Sequence, residues 1–236
     1  MLSLYERYSW LNKPIQHIRN IFWKDTFNTL ERKKLMAKYV EPSCVIVDAG
    51  AHQGEDSIQF SQVFPHARII GFEPVLAMFQ KAKEHIHKYP MIEVHPFGLG
   101  NENANASIFT IQGFEGSSSL FDPITEGHPL FNNKKVEKEA ITLIRLEDWC
   151  SQNGIDQVDI LCLDLQGYEY NALLGFEKYL RKVSVIHLEV FLIPSYENQP
   201  LFNHVHDYLV KLGFSILKKY FYYKDHGDVI YINDKY

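Results

Sequence analysis

The sequence is poor in cysteine and has no long uninterrupted apolar run. Its three cysteines among 236 residues form neither an even disulfide set nor a metal-binding spacing. We therefore expect reduced thiols and a cytoplasmic protein. Residues 183–193, one of the longest apolar stretches, are interrupted by His187 and Glu189 and are too short to cross a bilayer. The first residues also lack the basic stub and apolar core of a secretory signal, so we expect neither export nor a transmembrane segment.

Basic residues are in the minority and are unevenly distributed. The net charge at pH 7 is −5, yet residues 1–40 contain eight Lys or Arg and only three Asp or Glu. The rest of the chain is therefore acidic, which argues against a nucleic-acid-binding groove. With 46% hydrophobic residues, the chain can bury one sizeable core, and we expect one main domain.

Residues 1–42 are expected to form a helical extension ahead of a domain that comprises residues 43–236. Apolar residues recur among lysines and arginines in this extension, a pattern typical of one or two amphipathic helices. We interpret it as a helix packed on the core with its lysines in solvent. The alternative is a lid, or a weak peripheral membrane contact by residues 1–40.

The domain is organised around residues 45–54, a predicted buried strand that runs directly into a glycine-containing turn. The residues before Asp48 are apolar on both faces, as expected of an inner parallel strand. Gly50 and Gly54 permit tight backbone geometry before a helix that is predicted over residues 55–64.

This turn is similar to a dinucleotide-binding fingerprint, but it lacks the middle glycine that lets the backbone approach a pyrophosphate. The ligand is therefore expected to have no phosphates there. Nineteen residues after Gly54, a second predicted strand, residues 68–72, ends in Glu73. Folds of this kind place an acid at that point on a ribose diol. A ribose without a pyrophosphate points to S-adenosylmethionine.

Strand and helix patterns alternate along most of the remaining sequence. This alternation predicts an α/β fold, namely a doubly wound Rossmann-like seven-stranded sheet, mostly parallel with a C-terminal antiparallel hairpin. Further strands are predicted at residues 91–97, 107–111, 140–144, 158–163, 183–190, 214–223 and 228–232. Residues 113–133, which we call the flap, are rich in turn-forming residues and are expected to be mobile.

The order of several short motifs resembles that of the FkbM-type methyltransferases. The motifs lie at residues 45–54, 71–74, 141–143, 159–169 and 185–189. The resemblance covers about residues 43–232. It implies a class I, S-adenosylmethionine-dependent methyltransferase that acts on a hydroxyl group of a sugar, a glycan or another small natural-product acceptor. One residue departs from the family pattern, because Gln166 occupies a position that usually carries a glutamate.

Ligands of open α/β sheets collect at the carboxyl ends of the strands. The cofactor-binding residues that we expect there are Asp48, Gly50, His52, Gly54, Glu73, Pro74, Gly98, Leu99, Asp164 and Leu165. Asp48 and the turn amides are expected to hold the amino-acid end of the cofactor, and Glu73 both ribose hydroxyls. For each acid considered alone, capping of the following helix is the alternative.

Methyl transfer to an oxygen requires alignment, desolvation and a base for the acceptor hydroxyl. The candidate catalytic residues are Asp164, Glu189 and His52. Asp164 and Glu189 also offer oxygen ligands for a Mg²⁺ ion, although two acids alone do not assign a metal site. His187 lies two residues before Glu189, and we interpret it as a hydrogen-bonded core residue.

Polar and aromatic residues beyond the strand ends are candidates for an acceptor pocket. They are residues 117–119, Phe121, Tyr168, Phe191 and Tyr196. Two other functions stay open. A nicotinamide-dependent oxidoreductase would use Glu73 but requires a pyrophosphate site. A non-catalytic adenosyl-binding module is compatible with the glutamine at position 166. The sequence does not indicate an oligomeric state.

Overall fold

The computed structural model describes residues 29–128, 130–221 and 224–235. The strands are β1 (Val45–Ala49), β2 (Arg68–Phe72), β3 (Ile92–His95), β4 (Gly98–Leu99), β5 (Ala104–Ile111), β6 (Val136–Ile144), β7 (Ile160–Leu163), β8 (Val185–Phe191), β9 (Phe214–Phe221) and β10 (His226–Asn233). The helices are α1 (Thr29–Met36), α2 (Glu55–Val63), α3 (Leu76–Ile86), α4 (Leu146–Gln152), α5 (Glu169–Leu174), α6 (Glu177–Leu180) and α7 (Phe202–Lys211), and Glu115–Ser117 forms a 3₁₀ turn. Within the described ranges, no helix is long and apolar enough to cross a membrane.

Seven strands form the main sheet in the order β3-β2-β1-β7-β8-β10-β9. All neighbours are parallel except β10, which runs antiparallel to both β8 and β9. The predicted sheet and its C-terminal hairpin are therefore confirmed. β1 and β7 are apolar and buried on both faces, which places them at the centre of the sheet. Their carboxyl ends lie at the same edge of the sheet. Strands before β7 are added on one side of β1 and strands from β7 onward on the other, so a crevice forms between these two strand ends.

A second sheet of three strands, in the order β4-β6-β5, was not predicted. The third strand of the main sheet was expected to continue through residue 97. Instead β3 ends at His95, because Pro96 has no N–H with which to continue the ladder. The chain then pairs Gly98 and Leu99 with Leu143 and Ile144 of β6. The second sheet therefore rises over the carboxyl ends of the main sheet, and the flap connects β5 to β6.

Helix α1 packs against the main sheet with two basic side chains inside the protein. Arg32 and Lys33 are each 2% exposed. Lys33 pairs with Asp56 of α2 at 3.0 Å, and Arg32 pairs with Asp228 of β10. The expectation that a helix packs on the core is met for these residues, but solvated lysines were the wrong expectation for Lys33. The remainder of the predicted amphipathic extension, residues 1–28, lies outside the described residues.

Candidate active site

A cavity of about 200 Å³ lies at the carboxyl ends of β1, β2 and β7, between the main sheet and the second sheet. Eight of the predicted cofactor residues line it, namely Gly50, His52, Glu73, Pro74, Gly98, Leu99, Asp164 and Leu165. The sequence did not single out several further lining residues, namely Ile108, Glu115, Gly116 and Leu120, and it singled out Gln166 only as a departure from the family pattern. The predicted residues Asp48, Gly54 and Glu189 do not line this cavity.

The turn after β1 brings its backbone against the end of β7. Gly50 has a φ of +83°, and a Cβ atom on it would lie 1.9 Å from the carbonyl oxygen of Asp164. The N–H groups of Gly50 and Ala51 both donate to the carbonyl oxygen of Phe72, at 2.9 and 3.0 Å. Gly54, with a φ of +86°, then starts α2. Only glycine satisfies both the conformation and the close approach at position 50.

Each carboxylate oxygen of Glu73 accepts a hydrogen bond from a main-chain N–H group. Its Oε2 accepts the N–H of His52 at 2.9 Å, and its Oε1 accepts the N–H of Val75 at 2.8 Å. Burial raises the pKa of the Glu73 carboxyl to about 7, against the lowering effect of these two bonds. Each oxygen keeps a further acceptor position, so the carboxylate can still bind a pair of hydroxyl groups in the cavity.

Asp48 lies beneath the turn rather than in the cavity wall. It is 3% exposed, and its Oδ2 accepts a hydrogen bond from the Ser57 hydroxyl at 2.5 Å. Burial raises the pKa of Asp48 to about 7, and nearby Asp56 adds to the shift. Ser57 belongs to the first turn of α2, so Asp48 connects the end of β1 to that helix.

Asp164 is open to the cavity, and Gln166 lies between it and Glu189. The Gln166 amide Nε2 donates to Asp164 Oδ1 at 2.7 Å and to Glu189 Oε2 at 2.8 Å. Enclosure by the protein raises the pKa of Asp164, and the bond from Gln166 opposes the shift. Burial raises the pKa of Glu189 well above its ordinary value, and the neighbouring Asp164 adds to this effect.

Glu169 stabilises the turn that carries Gln166. It is 3% exposed, and its Oε1 accepts the N–H groups of Leu165 and Gly167 at 2.8 and 3.2 Å. Burial raises the pKa of Glu169 to about 8. Gln166 and Gly167 have φ values of +51° and +97°, so the chain reverses sharply between β7 and α5. This reversal directs the Gln166 side chain back over the strand ends.

The flap packs on the end of β8 through its own apolar cluster, although the sequence offered no periodic pattern there. Phe131 and Tyr196 are nearly completely buried in a cluster with Ile111 and Phe191. The flap is also paired through its backbone, because the Ile124 N–H donates to the Ser195 carbonyl at 3.0 Å. Of the predicted acceptor residues, Ser118 and Tyr168 line the cavity, whereas Phe191 and Tyr196 lie behind the flap.

Two histidines were also considered at the sequence level. The Nδ1 atom of His52, a lining residue, lies 3.5 Å from Oε2 of Glu55. His187 is buried, with its Nδ1 3.3 Å from the Cys162 sulfur, and burial lowers its pKa to about 3. Among the residues that the structure describes, no group of three or more His, Cys, Asp or Glu side chains could hold a metal ion.

Comparisons with known proteins agree with this geometry. The family described as Methyltransferase FkbM domain matches residues 48–216. The 2-O-methyltransferase NoeI of Sinorhizobium fredii is 24% identical over 185 residues, which are 75% of this chain and 75% of NoeI. Methyltransferase 1 of Beauveria bassiana is 25% identical over 144 residues, which are 56% of this chain and 58% of that protein.

Solved structures with the same fold include an rRNA methylase from Streptococcus thermophilus. Its TM-score is 0.50 at 11% identity, over 86% of this chain and 94% of the methylase. SMU.1697c from Streptococcus mutans, in complex with SAH, also has a TM-score of 0.50, at 9% identity over 86% and 95% of the two chains. At such identities the likeness concerns the fold alone. The family match spans most of the sequence, however, and the chain belongs to the FkbM methyltransferase family of S-adenosylmethionine-dependent enzymes.

Proposed function

We propose that this enzyme methylates a hydroxyl oxygen of a sugar, a glycan or another small acceptor. The observation that carries the proposal is the placement of Asp164. Its carboxylate is open to the same cavity that Glu73 and the Gly50 turn line from the opposite strands. A base and a hydroxyl-binding acid thus face one space. The similarity to NoeI, a 2-O-methyltransferase, supports an oxygen as the methylated atom.

The lining of the cavity fits a cationic donor better than a phosphate-bearing one. Three acids line it, Glu73, Glu115 and Asp164, and no lysine or arginine is among the described lining residues. S-adenosylmethionine carries a positively charged sulfonium, which such a lining attracts. A nicotinamide dinucleotide would bring a pyrophosphate against these acids, so the oxidoreductase alternative is disfavoured. A non-catalytic adenosyl-binding module lacks support of this kind, because Asp164 faces the cavity.

The donor, when bound, supplies a methyl group on a sulfur that is a good leaving group. We assign Glu73 to its ribose hydroxyls, since both carboxylate oxygens retain acceptor positions. We assign the amino-acid end of the donor to the turn at Gly50, which lines the cavity beside Asp164. Asp48 would act there through Ser57 and the first turn of α2, rather than by direct contact.

Asp164 is assigned as the general base. It takes the proton of the acceptor hydroxyl while the oxygen forms its bond to the methyl carbon and the carbon–sulfur bond breaks toward sulfur. Glu189 does not line the cavity, and the His52 imidazole lies 3.5 Å from the Glu55 carboxylate. A Mg²⁺ ion between Asp164 and Glu189 is not part of this proposal, because the Gln166 amide lies between these carboxylates.

Calorimetric titration with S-adenosylhomocysteine and, separately, with NADH tests the donor assignment. We expect saturable binding of S-adenosylhomocysteine and none of NADH. Transfer of a labelled methyl group to a panel of sugars, oligosaccharides and hydroxylated small molecules then tests the reaction, with base-stable ether products expected. Binding of NADH alone would contradict the donor, and labelled amines or carboxylates in place of ethers would contradict the methylated atom.

A further inference from the structure

The side-chain amide of Gln166 makes hydrogen bonds to groups on three separate segments of the chain. Both of its N–H protons are used, one by Asp164 at the end of β7 and one by Glu189 on β8. Its Oε1 lies 3.0 Å from the hydroxyl of Tyr196. The orientation of the amide follows from its two acid partners, since a carboxylate oxygen accepts, and the single proton of the Tyr196 hydroxyl is shared between Oε1 and the Ser117 carbonyl oxygen. Gln166 is therefore held in one conformation.

The main chain of Gln166 contacts the flap. Its carbonyl oxygen accepts a hydrogen bond from the Ser119 hydroxyl at 2.7 Å, and Ser119 is 1% exposed. The hydroxyl of Tyr196 also lies 3.0 Å from the carbonyl oxygen of Ser117. Both contacts require the flap in its present position over the cavity. One residue thus joins the two acids of the site to the segment that covers it.

Neighbouring features favour this arrangement. Gly167 leaves room for Gln199, because a Cβ atom at position 167 would lie 2.7 Å from the Gln199 side chain. The Gln199 Oε1 accepts the N–H groups of Ser195 and Tyr196 at 2.9 and 3.2 Å. Gln199 therefore stabilises the loop that carries the Tyr196 hydroxyl and lies directly against the turn that carries Gln166.

We propose that Gln166 is a positioning residue, whose amide orients the Asp164 carboxylate towards the acceptor and whose carbonyl makes that orientation dependent on flap closure. The inference rests on the proposed function of Asp164 as the base. A methionine at position 166 would keep the approximate size of the side chain but offer no N–H proton. Asp164 would then lose its hydrogen-bond donor, although its backbone would be unchanged.

The decisive variant is Gln166→Met, with Gln157→Met as the matched control. Gln157 also donates to an aspartate two residues away, Asp159 at 2.6 Å, but on the exposed surface. We expect Gln166→Met to bind S-adenosylhomocysteine within about threefold of the wild type and to lower kcat by about tenfold or more. The acceptor KM should change by less than about threefold. Gln157→Met should leave all three quantities unchanged.

A loss of cofactor affinity or a rise in KM without a fall in kcat would overturn the positioning role, as would an unchanged kcat. If Gln166→Met does not fold, Tyr196→Phe decides, because it removes only the hydroxyl that contacts Gln166 and Ser117. We expect it to lower kcat by about threefold at unchanged cofactor affinity, and an unchanged kcat would refute the proposal. Failure of the proposed function would give a different result. Full turnover by Asp164→Asn would show that Asp164 is not the base.

Discussion

Gly50 and Asp164 meet so closely across β1 and β7 that a Cβ atom at position 50 would lie 1.9 Å from the Asp164 carbonyl oxygen. The contact joins the turn that we assign to the donor with the strand end that we assign to catalysis. Any side chain at position 50 must therefore displace the backbone at Asp164. The two halves of the site cannot shift independently, which gives the contact an effect on both binding and chemistry.

The first prediction compares Gly50→Ala with Gly113→Ala. Both glycines have positive φ angles, +83° and +79°, but nothing lies within 4 Å of a Cβ atom at position 113. Gly113→Ala should lower the free energy of unfolding by about 1 kcal/mol, the cost of the backbone conformation alone. Gly50→Ala should cost several-fold more, or prevent folding, because of the added clash. Equal losses in urea unfolding would show that the contact with Asp164 is easily relieved.

The second prediction concerns the donor-binding acids. Glu73→Ala should weaken S-adenosylhomocysteine binding by roughly 1.5–3 kcal/mol, because it removes the acceptor for the ribose hydroxyls. Asp48→Ala should weaken it as well, by releasing Ser57 and the first turn of α2. Glu137→Ala, which removes an exposed carboxylate of β6, is the control. Unchanged calorimetric affinity in both Glu73→Ala and Asp48→Ala would remove the cofactor assignment.

The third prediction concerns Asp164, for which asparagine keeps the shape and one acceptor oxygen. Asp164→Asn should lower turnover by roughly 10²-fold or more while binding S-adenosylhomocysteine nearly normally, because the side chain would no longer take up a proton. The measurement is a steady-state methylation assay beside a calorimetric titration. Retained turnover would return Asp164 to a structural role and move the search for the base to His52 and Glu189.

The fourth prediction concerns the flap, residues 113–133. Its cluster around Phe131 and its bonds to Gln166 hold it in place, yet it must move for ligands to enter and leave. We expect its amide hydrogens to exchange faster in the free protein than in the complex with S-adenosylhomocysteine. Amides of β7 serve as the internal control and should be slow in both states. Equal and strong protection of the flap with and without ligand would exclude this motion.

The fifth prediction concerns pH. Burial raises the pKa values of Glu73 and Asp228 to about 7 and that of Glu169 to about 8. The folded protein therefore binds protons more tightly than the unfolded chain at these sites, and stability is lost as the pH rises through these values. Lowering the pH from about 8 to about 6.5 should raise the free energy of unfolding by roughly 1–3 kcal/mol. Below pH 6.5, His187 lowers the free energy of unfolding as the pH falls, because burial lowers its pKa and the folded protein binds its proton less tightly than the unfolded chain.

Urea unfolding of the ligand-free protein at the two pH values measures this difference. Glu169→Gln keeps an oxygen that accepts the N–H groups of Leu165 and Gly167, so it should reduce the dependence without abolishing folding. Glu137→Gln, which changes an exposed carboxylate, should leave the pH dependence of stability unchanged. Stability that falls on acidification from pH 8 to 6.5 would show that these acids are ionised in the folded protein.

Much of the main sheet follows from local sequence patterns. The two-faced apolar runs of β1 and β7 predict inner strands, and the turn at Gly50 and the acid at Glu73 lie where parallel strands end. Residues at or near the carboxyl ends of the strands could therefore be named in advance. Eight of the predicted cofactor residues line one cavity.

The rest depends on contacts between residues far apart in sequence. Nothing local to Arg32 reveals that Asp228, 196 residues later, neutralises it. The second sheet was missed because β4 contains only two residues and pairs with β6, more than 40 residues away. The same holds for Gln166, whose importance depends on Glu189 and Tyr196. From the sequence alone, a glutamine in a turn is expected to be exposed to solvent.

The flap joins two strands of the smaller sheet and contributes no strand to the larger one. We therefore expect insertions or deletions near its tip to leave the register of β5 and β6, and the turn at Gly50, unchanged. The same chain could thus be recombined with flap segments of other lengths taken from related enzymes. Such chimaeras would test whether the flap sets the acceptor preference while the methyl-donor side is held constant.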